Sequence, residues 1–303
     1  MSDNRETEKY EQVIQRLFPH TSLLKTWPLT GGMSAQMTAL ELRQVDGQIR
    51  RVIVRIPGTA EQYELLKHLH ASGLRVQQVY DFDASGDIFP TPYLVLEYVE
   101  GKPEFAPSDL DGFIRPYAAQ LASIHQMDHS AFRLDGLKQR SFAERLQALT
   151  VNPEPSPDGQ RIRQALAQAA SIDQWNTPVL VHGDFWPGNV LWHEGRLAAV
   201  IDWEDAETGD PLADLAVSRL DTLLIFGIRA MHDFTAHYQS QMSDSISFAN
   251  LPYWDLLAAL RAVPHLGEWP VMYPAVGRAD ITEASMREGH HWFVRDALER
   301  LSV

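Results

Sequence analysis

Residues 179–214 read VLVHGDFWPGNVLWHEGRLAAVIDWEDAETGDPLAD. Two short apolar runs in this stretch, Val179–Val181 and residues 197–201, are typical of β-strands. An acid follows each run: Asp184 in the sequence His-Gly-Asp, and Asp202 in the sequence Ile-Asp-Trp. Two buried strands that each lead into a carboxylate indicate that this stretch carries chemistry.

A Pro-Gly-Asn loop, a short strand and a Glu-Gly turn separate the two acids. A hairpin of this kind brings Asp184, Asn189 and Asp202 to one place. Carboxylate and amide oxygens are the ligands that Mg²⁺ prefers. Phosphoryl transfer requires a carboxylate that orients the attacking hydroxyl, together with metal ligands that help to neutralise phosphate charge. The stretch therefore predicts a phosphoryl-transfer site.

The pattern His-Gly-Asp-x-x-x-x-Asn followed by Ile-Asp-Trp resembles the catalytic and metal-binding segments of the aminoglycoside phosphotransferase and choline kinase-like family, relatives of the protein kinases. The resemblance implies that Asp184 is the catalytic carboxylate and that Asn189 and Asp202 bind Mg²⁺. It places His182 in the same catalytic loop, as a residue that shapes the loop.

The same resemblance implies an α+β, two-lobed protein kinase-like fold. The N-terminal nucleotide-binding lobe is expected over residues 1–99, as a five-stranded antiparallel sheet with a helix. The C-terminal catalytic and substrate-binding lobe, mostly helical, is expected over residues 100–303. Strand patterns lie at residues 23–29, 37–45, 51–56, 76–82 and 93–99. Helical patterns after the central stretch lie at residues 212–226, 230–242, 253–262 and 283–301.

A Thr-Gly-Gly-Met-Ser-Ala turn separates the first two predicted strands. In the family this turn covers the nucleotide phosphates, because glycine lets the backbone approach closely and present N–H groups. The resemblance therefore places Gly31, Gly32 and Ser34 at the nucleotide. It also places the backbone of Glu97 and Val99, in the connector between lobes, against the purine edge, which leaves both ATP and GTP open as donors.

Arg55 lies on the third predicted strand, where the family places the cation that binds the α and β phosphates. Kinases more often carry Lys there, whereas Arg presents a planar fork that binds phosphate or carboxylate bidentately. In the family a helix carboxylate pairs with this cation. Glu61 and Glu64 are both candidates, and register against the family favours Gln62. We expect Glu64 to be the partner.

Two other classes of protein share parts of this pattern. Metallophosphoesterases also contain Gly-Asp and Gly-Asn elements, but their two-metal sites need further His pairs, and here the elements lie within eight residues. A nucleotide-binding pseudoenzyme or sensor would keep the same fold without turnover. The intact Asp184, Asn189 and Asp202 argue against the pseudoenzyme, while Arg55 in place of Lys keeps it as the alternative.

The spacing after Asp202 favours a small acceptor. A Gly-Asp-Pro-Leu-Ala-Asp element follows within eight residues, which leaves no room for the activation segment and peptide platform of a protein kinase. Gly183 also stands where protein kinases carry the Arg that contacts a phosphorylated activation loop. Aminoglycosides, choline-like amines, macrolides, sugars and homoserine all remain open as acceptors.

The segment that begins at Ile-Asp-Trp contains six acids and no Lys or Arg. Asp210 and Asp214 are expected to brace the loop, as the family's Gly-Asp-Pro element does. Glu204, Asp205 and Glu207 are then candidates to contact a cationic acceptor, or else form a solvated acidic turn.

Length and composition limit the class of protein. With 303 residues, 45% of them hydrophobic, the chain can bury a large core. A net charge of −14 argues against nucleic-acid or anionic-membrane partners, which are bound mainly through Lys and Arg. The lack of cysteine excludes disulfides and thiolate metal sites. The polar start and the lack of long apolar runs predict a cytoplasmic protein without membrane segments.

The sequence thus predicts a phosphotransferase with an alcohol group as acceptor. It would transfer the γ-phosphoryl group of ATP, with GTP as the other candidate donor, using Mg²⁺. The acceptor would be a small metabolite or antibiotic, cationic compounds included.

Overall fold

A computed structural model describes residues 2–29, 35–127, 137–150, 157–167, 169, 172 and 175–301. Internal contacts divide the chain into two compact units. The first is Met1–Gly101 with Ala198–Ile201, and the second is Lys102–Leu197 with Asp202–Val303. The functional lobes expected over residues 1–99 and 100–303 stay a prediction, because a division by contacts does not assign a function to either part.

The first unit contains two helices and a five-stranded antiparallel sheet. Its elements are α1 (Ser2–Leu17), β1 (Ser22–Leu29), β2 (Gln36–Arg43), β3 (Ile49–Ile56), α2 (Ala60–Ala71), β4 (Val79–Asp83) and β5 (Tyr93–Glu97). The strand order is β1-β2-β3-β5-β4. The predicted five-stranded antiparallel sheet is therefore confirmed.

Alternation along β2 and β3 builds the core of this unit. Leu40, Leu42, Val52 and Val54 are buried on one face of the sheet, where α1 contributes Val13. Side chains two apart on a strand share a face, so each strand supplies a regular apolar row.

The fourth strand begins later than the predicted residue 76. Val76 instead forms an isolated parallel bridge with Val200, and the Val200 N–H donates to the Arg75 carbonyl at 2.7 Å. The bridge and this hydrogen bond explain why residues 198–201 belong to the first unit.

The second unit is mostly helical. Its helices are α3 (Leu110–His125), α4 (Phe142–Thr150), α5 (Pro157–Leu166), α6 (Leu212–Phe226), α7 (Ile228–Met242), α8 (Leu251–Ala262) and α9 (Glu283–Leu301). Its short strands are β6 (Val179–Val181), β7 (Val190–His193) and β9 (Glu207–Gly209), and β8 (Arg196–Val200) begins in this unit and ends in the first. Helices α6 and α9 have the predicted bounds, and α7 and α8 each begin two residues earlier. Among the described residues, no helix is long and apolar enough to span a membrane.

Strand β9 falls in the acidic segment, for which a solvated turn was one of the two alternatives. It pairs antiparallel with β6, so that Glu207 lies opposite Val181 and Gly209 opposite Val179. The pairing buries the Glu207 side chain, which a solvated turn would have left exposed. The alternative of a solvated turn is therefore excluded at Glu207.

An aromatic series links β7 to the loop that follows β6. Phe113 stacks on Trp192 with ring centroids 4.5 Å apart, and Tyr117 stacks on Phe185 at 4.9 Å. All four residues are at least nine-tenths buried. Stacked rings of this size contribute beyond their buried area, so the loop after β6 rests on a rigid base.

Candidate active site

The loop that follows β6 carries Asp184, whose two carboxylate oxygens have different partners. Oδ2 accepts a hydrogen bond from Asn189 Nδ2 at 3.1 Å, and Oδ1 accepts from Arg261 Nη2 at 2.7 Å. The Asn189 amide nitrogen also donates to the Asp184 carbonyl at 2.9 Å. The side chain remains 30% exposed, so its orientation is set while a solute can still reach it.

Buried Asp214 of α6 holds the backbone just before Asp184. Its carboxylate accepts from the N–H groups of His182 at 2.6 Å and Gly183 at 2.9 Å. His125 Nε2 lies 3.3 Å from the same carboxylate, and Nδ1 of that ring lies 2.6 Å from the Tyr238 hydroxyl. Burial alone would raise the pKa of Asp214, but the hydrogen bond and charge of His125 hold that pKa below its usual value.

His182 and Gly183 give the loop its shape. The His182 ring is fully buried, lies 4.6 Å from the Trp203 ring, and accepts a hydrogen bond at Nδ1 from the Asp184 N–H at 3.3 Å. Gly183 has φ +84°, and a Cβ there would lie 2.3 Å from the Asp205 carbonyl oxygen. Only glycine fits at position 183. His182 is buried, and its ring stabilises the loop by accepting the Asp184 N–H.

The Phe185 carbonyl is the next fixed point in the loop. It accepts hydrogen bonds from Ser218 Oγ at 2.6 Å and from the Tyr117 hydroxyl at 3.2 Å. Four consecutive residues, 182–185, thus have backbone groups bound by buried or half-buried partners. A carboxylate on so well supported a loop is preorganised, which is what orientation of a reacting hydroxyl demands.

Asn189 and Asp202 are the predicted Mg²⁺ ligands. Asn189 ends the 3-10 turn Pro187–Asn189 and is buried beside Asp184. Asp202 has φ 66° and ψ 60°, a left-handed conformation that costs a non-glycine residue about 1–3 kcal/mol. Such strain is often kept at functional positions. No group of three or more His, Cys, Asp or Glu suited to a metal ion occurs among the residues that the structure describes.

Arg55 of β3 contacts Gln62, not the expected Glu64. Its Nη1 donates to Gln62 Oε1 at 3.0 Å and to the Pro57 carbonyl at 2.7 Å. Gln62 is the third residue of α2 and forms a capping box with Thr59, which turns its side chain back towards β3. Glu64 is exposed and lies about 200° further round the helix. The expectation that the carboxylate of Glu64 pairs with Arg55 was wrong.

The remaining predicted nucleotide residues lie in the first unit. Gly31, Gly32 and Ser34 fall outside the described residues. The Glu97 N–H donates to the Gln78 carbonyl at 2.8 Å, and the Glu97 carbonyl accepts from Gln77 Nε2 at 2.9 Å. The Glu97 N–H is therefore not available to a purine base, and its carbonyl oxygen has one lone pair left to accept a hydrogen bond. Val99 lies beyond the end of β5, outside regular secondary structure.

A cavity of about 270 Å³ adjoins the Asp184 loop, with Gly183 in its wall. Glu207 lines it but is bound by two arginines: Arg140 Nε lies 3.2 Å from Oε2, and Arg145 contacts Oε1. Burial raises the pKa of Glu207 above its usual value although both arginines oppose this. The carboxylate is therefore occupied, and the expectation that Glu207 contacts a cationic acceptor does not match the structure.

Two further residues beside Asp184 were missed in the sequence. Arg261 of α8 binds Asp184 and donates from Nη1 to the Gly183 carbonyl at 3.1 Å. Burial alone would lower the pKa of Arg261, but the charge of Asp184 raises it. Asp221 of α6 has a pKa raised to about 7 by burial and by the charge of Asp184, against the effect of Arg261. No local sequence pattern marks either residue.

The site can now be compared with known proteins. Residues 28–260 match the family described as the phosphotransferase enzyme family. The chain belongs to that family, and the predicted family is confirmed.

Curated relatives include two kinds of protein. Viomycin phosphotransferase of Streptomyces vinaceus is 30% identical over 177 residues, which cover 54% of this chain and 61% of that protein. Mouse acyl-CoA dehydrogenase family member 10 is 30% identical over 175 residues, which cover 52% of this chain and 16% of that protein. The chain thus matches less than a quarter of the length of the acyl-CoA dehydrogenase relatives.

Solved structures share the fold. A proposed aminoglycoside phosphotransferase of Ralstonia eutropha JMP134 matches with a TM-score of 0.69 and 16% identity, over 97% of both chains. A thermostable mutant of APH(4)-Ia, in a complex with AMP-PNP and hygromycin B, matches at 0.61 and 17% identity, over 95% of this chain and 98% of that one. The GDP and kanamycin complex of APH(2")-IIia matches at 0.62 and 17%, over 96% and 98%. The predicted α+β kinase-like fold is confirmed.

Proposed function

We propose that this protein is a small-molecule kinase that transfers the γ-phosphoryl group of a purine nucleoside triphosphate to a hydroxyl group. The observation that carries the proposal is the Asp184 carboxylate, oriented by Asn189 and Arg261 on a loop whose backbone is bound at every residue from 182 to 185. Membership of the phosphotransferase family supports it.

Asp184 would act mainly by orientation. The acceptor hydroxyl oxygen forms a bond to the γ-phosphorus while the bond from that phosphorus to the β-γ bridging oxygen breaks, which releases the nucleoside diphosphate. The hydroxyl proton passes to the Asp184 carboxylate. Because the transition state is loose, this proton moves late, and alignment of the hydroxyl contributes as much as basicity.

The residues present suit Mg²⁺. The Asn189 amide nitrogen is occupied by Asp184, which directs the amide oxygen away from that contact, and Asp202 supplies a carboxylate. Both are hard oxygen ligands. When bound there, Mg²⁺ would neutralise charge on the β and γ phosphates. Arg55 is proposed to contact the α and β phosphates.

The donor is proposed to be ATP, with GTP as the alternative. Structural neighbours of this chain contain AMP-PNP in one case and GDP in another. The proposed base contacts at Glu97 and Val99 use backbone atoms, which do not by themselves distinguish the two purines.

A nucleotide-binding pseudoenzyme is the second candidate. The observation that favours it is the contact between Arg55 and the neutral Gln62, where an active kinase of this kind is expected to have an ion pair. Tight nucleotide binding without release of diphosphate in the presence of any acceptor would support this candidate.

The test combines an acceptor screen with Asp184→Asn. Release of ADP or GDP is measured over a panel that includes viomycin, kanamycin, hygromycin B, choline and homoserine. For the best acceptor, Asp184→Asn should lower kcat by about 10²-fold or more, the usual range for a positioned general base. Nucleotide affinity should stay within a few-fold of wild type.

Asp233→Asn is the matched control, because Asp233 is half-exposed and, in the described part of the chain, pairs with the exposed Arg229. Undiminished single-turnover phosphorylation by Asp184→Asn would refute the catalytic assignment. Loss of nucleotide binding alone would instead give Asp184 a role in holding the metal or the loop.

A further inference from the structure

Three arginines converge on the cavity beside Asp184. Arg140 and Arg145 come from the chain at the start of α4, and Arg261 comes from α8. Arg261 is bound to Asp184, so its charge is balanced there. Arg140 and Arg145 share the single carboxylate of Glu207. We call Arg140 and Arg145 the arginine pair, and Glu207 is their shared glutamate.

The arginine pair keeps an excess of positive charge. Two guanidinium groups against one carboxylate leave a net charge of +1, and protonation of Glu207 would leave +2. Arg140 is 47% exposed, whereas the side chain of Arg145 is only 17% exposed. In the described part of the chain, Arg145 Nε is buried without a hydrogen-bond partner. An unsatisfied buried donor costs about 1–3 kcal/mol.

Asp205 and Gly183 also line the cavity, and Arg261 in its wall binds the Asp184 carboxylate. Asp184 and Asp205 are both next to Gly183: Asp184 follows it in the chain, and the Asp205 backbone would touch a Cβ placed there. We call the wall at Gly183 and Arg261, next to Asp184, the carboxylate end, where the acceptor hydroxyl would sit, and the wall at the arginine pair the guanidinium end. An apolar wall also contributes Trp254, Leu257 and Ala258.

This arrangement discriminates by charge. A guanidinium fork matches a carboxylate or phosphate bidentately, and such charge-assisted hydrogen bonds are about twice as strong as neutral ones. An ammonium group at the same place would meet two guanidinium groups and one carboxylate, a net positive charge. The cavity of about 270 Å³ also lies just below the usual range for ligand pockets, about 300–1,000 Å³, which favours a small acceptor.

We propose that the acceptor is a small hydroxy compound carrying an oxyanion group, carboxylate or phosphate, which binds at Arg140 and Arg145 while its hydroxyl faces Asp184. This inference rests on the proposed kinase function, of which it names the acceptor class. It differs from the expectation of a cationic acceptor.

Two matched series of probes test it by calorimetry, without nucleotide. The three-carbon series is glycerate, glycerol 3-phosphate, glycerol and 3-amino-1,2-propanediol. The six-carbon series is 6-hydroxyhexanoate, 1,6-hexanediol and 6-amino-1-hexanol, which covers a longer reach. In at least one series we expect the oxyanion to bind tenfold or more tightly than the neutral alcohol, with the amine weakest. Comparison of glycerate with glycerol 3-phosphate distinguishes the two sources of the oxyanion.

Variants then assign the binding to the arginine pair. Arg140→Gln should weaken oxyanion binding about tenfold, the loss of one charge-assisted contact of about 1.4 kcal/mol, while Arg140→Lys should keep part of it. Arg140 is half exposed and its removal leaves Arg145 bound to Glu207, so the fold should persist. Arg295→Gln is the control, since Arg295 forms only an exposed pair with Glu299 on α9. Arg295→Gln should bind the oxyanion as tightly as wild type does.

Equal or tighter binding of the amines, absence of binding by every oxyanion, or binding unchanged in Arg140→Gln would overturn the inference. Where an oxyanion is phosphorylated, Arg140→Gln should raise the KM for that acceptor and leave the nucleotide KM unchanged. Oxyanion binding that depends on Arg140 but gives no diphosphate with either nucleotide would confirm the anion site and refute the kinase function. Failure of the proposed anion site can therefore be told apart from failure of the proposed kinase function.

Discussion

Replacement of Asp214 by asparagine tests whether its carboxylate holds the loop that carries Asp184, independently of nucleotide binding. The carboxylate accepts hydrogen bonds from the N–H groups of His182 and Gly183 and lies 3.3 Å from His125 Nε2. Bonds to a charged acceptor are worth about 1.5–3 kcal/mol each. Asparagine keeps one acceptor oxygen but turns an NH₂ group towards the remaining donors. We expect the free energy of unfolding to fall by about 3 kcal/mol, since roughly two such bonds are weakened or lost.

Urea denaturation at pH 7 measures the stability, and single-turnover phosphorylation measures the chemistry. Because the N–H groups of residues 182 and 183 position Asp184, kcat should fall at least tenfold while nucleotide affinity changes little. Asp233→Asn is again the control, and its exposed pair should change stability by less than about 1 kcal/mol. Stability of Asp214→Asn within 1 kcal/mol of wild type would refute the loop-anchoring argument.

The pH dependence gives a second readout of the same residue. The pKa of Asp214 is lowered in the folded protein, so its contribution is present above the unfolded value of about 3.9 and is lost as pH falls below it. The stability difference between wild type and Asp214→Asn should therefore be constant from pH 5 to 7 and shrink below about pH 4. If the stability difference between wild type and Asp214→Asn stays the same below pH 4, Asp214 is not ionised in the folded protein as we infer.

Three other predictions follow from single positions. Gly183→Ala should cost more than about 2 kcal/mol in urea denaturation and abolish phosphorylation, because its Cβ would lie 2.3 Å from the Asp205 carbonyl oxygen. Gly195→Ala, with a similar positive φ but open space around it, should cost only about 1 kcal/mol, and equal losses would sink the steric argument. Burial raises the pKa of Asp221 to about 7, so the folded protein holds a proton that the unfolded chain releases near pH 4, and stability from this group is lost as pH rises to 7. Thermal unfolding of the nucleotide-free, EDTA-treated protein should then show Asp221→Asn more stable than wild type at pH 8 and equal to it at pH 4; no gain at pH 8 would disprove the shift. Arg55→Ala should raise the nucleotide KM and Arg55→Lys should restore part of the affinity, whereas an unchanged KM in the alanine variant would remove Arg55 from the phosphate site.

Contiguous features were the ones that the sequence predicted well. The interval from Asp184 to Asn189 lies within one loop, and the structure joins these residues by two hydrogen bonds. The five-stranded sheet and the bounds of α6 and α9 follow from apolar periodicity, which needs only neighbouring residues. Local spacing therefore sufficed to place Asp184 beside Asn189 and to predict the fold class.

Contacts between distant segments could not be predicted in the same way. Arg261 reaches Asp184 across 77 residues, and Arg145 reaches Glu207 across 62. Helices α4 and α8 carry these arginines with no motif around them, and only the packed helices bring them to one cavity. The partner of Arg55 shows a different limit. Charge favoured Glu64, but helix geometry and the capping box selected Gln62.

The acidic segment after Asp202 shows why composition is a poor guide to the charge of a site. A chain with a net charge of −14 and six acids in this segment favours a cationic acceptor by simple count. The structure assigns several of those acids to internal partners: Asp214 binds backbone N–H groups, and Asp210 binds Asn176 and the Leu212 N–H. Glu207 is covered by two arginines. What a ligand meets is the charge left after such pairing, and at the guanidinium end of the cavity that remainder is positive.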